Sequence, residues 1–192
     1  MLERNPNFAD GSRLWNLDET GTTTVQGTKK VIAAKDMHFV PQTTSGERGT
    51  LVTTCCFISA MGTCIPPVMI FPRVNFKNNM LIGAYPGTKG LATKNGWMNS
   101  ETFVETLKHF IRYTNSSKEN ETLLLVDNVE SHLSIESLDL AKNNGITMLT
   151  FPSKCTHKLQ PLDVGIFGPF NSVYDGFVSG WITSYPGEQF TI

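Results

Sequence analysis

Apolar positions along this chain follow two periods, and the switches between them set the expected order of elements. Residues 13–18, Arg-Leu-Trp-Asn-Leu-Asp, read as a short strand that meets an acidic, glycine-containing turn, Asp-Glu-Thr-Gly. Residues 19–49 are rich in Thr, Gly, Lys and Gln with one weak apolar island at 31–34, a pattern of loops with at most one edge strand. Residues 51–60 and 65–71 are dense in β-branched and aromatic residues around a Met-Gly-Thr-Cys turn, which predicts an antiparallel hairpin. Pro66-Pro67 at its second entry favours an edge or strand-start position, where no ladder hydrogen bond is lost.

After a Gly-, Asn- and Pro-rich connection over 75–99, Phe103, Leu107, Phe110 and Ile111 recur at helical spacing behind a Ser100 cap, with Glu101 in the first turn. Residues 122–127 are a continuous apolar run ending in Asp-Asn, as a central strand covered on both faces should be. Ser134 opens a second helix with Leu138 and Ala141 on one face and Gly145 as its stop, and residues 146–152 form the next strand. Strand, helix, strand with short connections is a βαβ crossover and implies two adjacent parallel strands. The tail beyond Pro161 carries another apolar segment, helical from about residue 168. The sum is an α/β fold, a mixed sheet of about five strands flanked by helices.

Composition narrows the function classes. The 192 residues, 40% hydrophobic and 17% charged, suit one globular domain with a real core and exclude overall disorder. Sixteen basic against 17 acidic residues leave a net charge of −1, so nucleic-acid contact must come from a local patch. Cys55, Cys56, Cys64 and Cys155 form no CxxC pair and have no zinc-ligand spacing, and are expected to be reduced, mostly buried thiols of an intracellular protein. The start has no apolar stretch behind a basic flank, so no secretory signal is expected, and the glycosylation triplets at Asn115 and Asn120 then read as chance. The uncharged residues 49–72 are too interrupted by Thr, Gly and Pro for a membrane span, and no membrane partner is expected.

Three aspartates fall at element ends: Asp18 after the first strand, Asp127 after the central strand and Asp163 beyond the last strand. If the first strand lies beside the one ending at Asp127, all three can converge at one edge. Three carboxylates with open coordination positions suit a hard cation such as Mg²⁺, and paired ions of this kind drive phosphoryl transfer. An Asp after a strand is equally a turn or helix-cap residue, and spacing leaves both readings open. No GxxxxGK[ST] loop is present, which excludes an ATPase of the P-loop type.

The strings WNLDETG (15–21), QGTKKV (26–31), ERGTLVT (47–53), IPPVMIFPR (65–73), LLLVDNVESH (123–132) and above all THKLQPLDVGIFGPF (156–170) closely resemble the catalytic domain of pogo, Tigger and jerky-type DDE transposases. The resemblance runs over about residues 15–181. It implies a ribonuclease H-like fold, with Asp18, Asp127 and Asp163 as the catalytic acids holding two Mg²⁺ or Mn²⁺ ions. It also implies that water attacks a phosphodiester and that the freed 3′-hydroxyl joins a new DNA site. DNA is the implied partner, with nuclear localisation and self-association in a synaptic complex. Asn128, His132 and His157 sit in matched motifs as candidates to contact the acids, and Lys29, Lys30, Lys35, Arg48 and Arg73 form a candidate DNA-facing patch.

The chain departs from the family pattern at Val129 and Lys154, where the family has histidines, so two groups able to shuttle protons are lost while the acids remain. The N-terminal helix-turn-helix domains of full-length relatives are absent from these 192 residues, so a single catalytic domain with a core at about 13–182 and little sequence specificity is expected. Glu19 ranks below Asp18, because neighbouring residues of a strand point to opposite faces. Trp97 is expected to pack the following helix rather than stack on a base. Three readings stand: a metal-dependent endonuclease and strand-transfer domain; a domesticated or decayed relative that binds nucleic acid without catalysis; and, least favoured, a general ribonuclease H-type nuclease, which leaves the long matched motifs unexplained.

Overall fold

The structure, a computed structural model, describes residues 5–25, 49–152, 155–188 and 190. Strand β1 (Leu14–Thr23) pairs antiparallel with β2 (Leu51–Ser59) from Trp15 opposite Ser59 to Thr23 opposite Leu51. It runs well past the expected end at Asp18. Asp-Glu-Thr-Gly is locally a turn sequence, but the full ladder of partners on β2 holds it extended. Strand β3 (Cys64–Pro72) completes the expected hairpin. Pro66-Pro67 lie near its start, beside a register shift between Cys55 and Phe57 and ahead of the parallel pairing with β4 (Lys89–Thr93), which begins at Val68. Strand β4 has no counterpart among the expected five. Lys-Gly-Leu-Ala-Thr has little strand propensity, and it is held by pairing with β3 and by a 2.7 Å ion pair from Lys89 to Glu105.

Helix α1 (Ser100–Thr114) is capped by Asn99 rather than Ser100. Asn99 is extended and its side chain accepts from Thr102 N at 2.8 Å, while Thr102 Oγ1 accepts from Asn99 N at 2.9 Å. Asn and Ser cap equally well, so residue type alone does not choose between neighbours. Strand β5 (Thr122–Val126), helix α2 (Ile135–Asn143) and strand β6 (Ile146–Thr150) form the expected crossover, with β5 and β6 parallel. Ser134 caps α2 as expected, but the helix buries Ser137 and Ala141 while Leu138 stays 42% exposed. The buried face is thus set by the i, i+4 pair of small residues, which lets α2 approach closely. Three further helices follow, α3 (Thr156–Leu159), α4 (Pro161–Gly165) and α5 (Phe167–Ser184), the last beginning within a residue of its expected start.

The six strands lie in the order β4-β3-β2-β1-β5-β6, so β1 is central, antiparallel to β2 on one side and parallel to β5 on the other. Side chains alternate along β1. Trp15 and Leu17 join Phe57, Phe103, Leu107, Phe110, Leu124 and Val126 in the core under α1. Trp15 meets Phe110 edge-on at 5.7 Å, and Phe57 stacks on the same ring at 5.8 Å. The alternate positions of β1 face α4 and α5. All four cysteines are free, and they range from buried Cys55 to exposed Cys64. The apolar island at 31–34 lies outside the described residues. Among the described residues no helix is long and apolar enough to cross a membrane.

Gly145 fixes the turn from α2 into β6 with φ +65°, and a Cβ there would collide with the Ser117 carbonyl group. Gly145→Ala is expected to cost about 2 kcal/mol or more in a denaturant titration, since backbone on both sides must move.

Candidate active site

Asn16 of β1 pairs with Leu125 of β5, so Asp18 and Asp127 each follow two residues on at the same advance along adjacent parallel strands. Asp18 is only 9% exposed. Its Oδ1 accepts from Glu19 N at 2.9 Å, and its Oδ2 is buried with no hydrogen-bond donor. Burial raises the carboxyl to about 7, with the charges of Asp163 and Glu19 adding to the effect against the Glu19 N–H and the Gln160 side chain. Asp163 is exposed in the first turn of α4. That short helix is fixed to β1 at two points: Leu162 N donates to Asn16 Oδ1 at 3.2 Å, and Gln160 Nε2 donates to Leu17 O at 3.2 Å.

Asp127 engages a different neighbour. Its Oδ1 stands 2.6 Å from Nδ1 of His132, a close ion-pair contact whose alignment falls short of a hydrogen bond. His132 Nε2 lies 3.0 Å from Glu19 Oε1. The imidazole is 1% exposed and stacks on Phe103 of α1 with ring centroids 4.2 Å apart. Its backbone carbonyl accepts from Ser137 Oγ at 2.8 Å, which ties the turn to the start of α2. Burial alone would push this imidazole down, but Asp127 and Glu19 prevail and raise it to about 9, so it is a cation bridging two acids at neutral pH. Glu19 does point away from Asp18, as alternation requires, and its side chain is a partner of the His132 bridge.

The sheet therefore brings the three acid-bearing segments together, and it sets Asp18 within electrostatic reach of Asp163. Among the described residues, no three His, Cys, Asp or Glu side chains stand as a ready metal-holding cluster. Asn128 is exposed in the turn after β5, and His132 contacts Asp127 directly. The His157 side chain lies outside the described residues, as do Lys154 and the patch members Lys29, Lys30, Lys35 and Arg48. Arg73, at the end of β3, donates to Pro72 O at 2.9 Å. Trp97, expected to pack the following helix, is 60% exposed, and Met98 is the neighbour packed against the core. Asn16 and Gln160 were not expected from the sequence, although two polar residues inside motifs that place their neighbours in the core were a usable signal.

A family model described as DDE superfamily endonuclease matches residues 48–185. The chain belongs to this family. Its architecture is the ribonuclease H-like fold: the Mos1 mariner paired-end complex with Mn matches with a TM-score of 0.59 at 14% identity over 96% of this chain and 52% of that one. The catalytic domain of Mos1 mariner transposase matches with a TM-score of 0.51 at 14% identity over 95% of this chain and 74% of that one. Among curated proteins, an MFS-type transporter, clz9, from Cochliobolus lunatus is 32% identical over 164 residues, covering 84% of this chain and 18% of that protein. The chain thus spans under a fifth of that relative and about half of the full transposase chain.

The His132 bridge has a pH signature in the metal-free protein. A histidine raised in the folded state adds stability that is fully present below its unfolded value of about 6.5 and is lost as pH rises through about 9. Asp18 has largely ionised before that window closes. Denaturant titrations should show the wild type losing about 2 kcal/mol between about pH 7 and pH 9, and His132→Gln losing much less over the same range.

Proposed function

We propose that this chain is the catalytic part of a metal-dependent DNA endonuclease with strand-transfer chemistry, of the pogo, Tigger and jerky type, with Asp18, Asp127 and Asp163 as its acids. The observation that carries the reading is the convergence of β1, the end of β5 and α4 at one place, each bringing an aspartate of a matched motif. The donor set fits a hard divalent cation: all three side chains are carboxylates, and Asp18 Oδ2 is a buried oxygen without a hydrogen-bond donor. When bound, Mg²⁺ or Mn²⁺ supplies the positive charge that activates an attacking oxygen and steadies the departing one.

The chain's own residues supply placement. Asp18 is held rigidly within the sheet, Asp163 is presented from solvent by α4, and His132 restrains Asp127 from below while Glu19 and Phe103 restrain His132. DNA is the proposed substrate, with assembly of two copies on paired ends and action in the nucleus as further parts of the proposal. Support for DNA comes from the family and from the Mos1 transposase paired-end complex with a left transposon end, which shares the fold. A second reading, nucleic-acid binding without catalysis, is favoured by the engagement of Asp127 with His132 and by Val129 and the other lost histidine position.

Nicking of a supercoiled plasmid in Mg²⁺ or Mn²⁺ separates the two. The expected result is weak, metal-dependent nicking that Asp127→Asn and Asp18→Asn each reduce by about a hundredfold or more. Equal nicking by wild type and both variants removes the enzymatic reading, and DNA retention without any nicking selects the second.

A further inference from the structure

One buried amide touches all three acid-bearing segments. Asn16 is 3% exposed and lies two positions before Asp18 on β1. Its Nδ2 donates to Leu125 O of β5 at 3.1 Å, two positions before Asp127. Its Oδ1 accepts from Leu162 N of α4 at 3.2 Å, one position before Asp163. A second amide, Gln160, is fully buried just ahead of α4, donates to Leu17 O at 3.2 Å and lies against the Asp18 carboxyl. Helix α4 has five residues and no side-chain hydrogen bond at its cap, so it has little stability of its own. Its place is set by what grips it.

We propose that Asn16, with Gln160 as the second grip, is a positioning residue that locks the Asp163 helix against the strands of Asp18 and Asp127. Neither side chain touches the reacting atoms. Carboxamides suit the task because each offers a donor and an acceptor at fixed separation, which lets Asn16 satisfy a carbonyl on one strand and an N–H on α4 at once. They also bring no charge beside Asp18, where a further carboxylate would repel it and an ammonium would compete with a cation. A branched apolar residue would occupy the space and leave Leu162 N unpaired, with Leu125 O reduced to its partner in the β1–β5 ladder. The inference deepens the cation-centre reading above and rests on it for its functional consequence.

The test uses Asn16→Leu, which keeps the branching of the side chain and removes its polar atoms, and the milder Gln160→Met, each beside the wild type in the full chain. Amide hydrogen exchange on metal-free protein reads the grip itself. Leu162 N should exchange at least about tenfold faster in Asn16→Leu while the amides of Phe57 and Leu107 stay protected, and Gln160→Met should show the same pattern to a smaller degree. Mn²⁺ affinity, read by electron paramagnetic resonance of free ion, should weaken by about tenfold or more in Asn16→Leu. Unchanged exchange at Leu162 in both variants overturns the proposal, and so does faster exchange with Mn²⁺ affinity at the wild-type value. Uniformly faster exchange, with Phe57 and Leu107 as exposed as Leu162 in both variants, assigns the amides to general stability and overturns it too. If the wild type binds no Mn²⁺, the cation-centre reading falls, and the grip is decided by the exchange at Leu162 alone.

Discussion

Strands β1 and β5 share only three paired positions, Leu14 to Asn16 against Leu123 to Leu125, and everything at the candidate site follows from that register. It is pinned at both ends by side chains. At the entry, the Arg13 guanidinium donates to Glu121 O at 3.0 Å and to Thr122 Oγ1 at 2.8 Å; further along, Asn16 reaches Leu125 O. A slip of one residue would turn Leu17 out of the core and put Asp18 beneath α1, at the cost of both apolar burial and a carboxylate desolvated among Phe103 and Leu107. The hydrophobic alternation that folds the sheet therefore also aligns the acids.

Alternation has a second effect. Because Asp18 and Glu19 are consecutive on β1, one carboxyl serves the α4 face and the other the α1 face, and the two do different work. Glu19 is spent on His132, which stacks on Phe103 and stands against Asp127. Asp127 lies just past the end of β5, free of the strand's strict alternation, and so can answer to either face.

Much of this was legible in the sequence because it rests on local signals. The hairpin, the βαβ crossover and α1 come from periodicity, punctuation and element length, whereas the adjacency of the strands bearing Asp18 and Asp127 entered only as a condition that the register of β1 and β5 then met. What was not legible depends on contacts distant along the chain. Strand β4 exists because β3 offers an unpaired edge, and β1 extends through a turn-like sequence because β2 pairs with all of it. The exposure of Trp97, with Met98 against the core in its place, follows the path of the chain between β4 and α1, which the expectation for an aromatic near a helix does not contain. At the site, the motifs name the acids but not their supports: Asn16 is a polar residue at a buried strand position, and only the docking of α4 explains it.

Polar groups buried without a hydrogen-bond partner normally cost stability, and four of the five such side-chain atoms among the described residues cluster here: Asp127 Oδ1 and His132 Nδ1, which face each other as an ion pair at 2.6 Å, and Asp18 Oδ2 and Gln160 Oε1, which do not have that compensation. Such a concentration marks a place where the fold is not optimised for itself. For Asp18 the deficit can be met in two ways. A proton meets it up to about pH 7, where burial has moved the carboxyl, and above that only an external positive charge does. Proton and cation are thus competitors for the same oxygen. A carboxylate held in this condition is poorly solvated but easily paired, and on the cation-centre reading that gives an ion delivered by the solvent an advantage over water that an exposed aspartate would not provide.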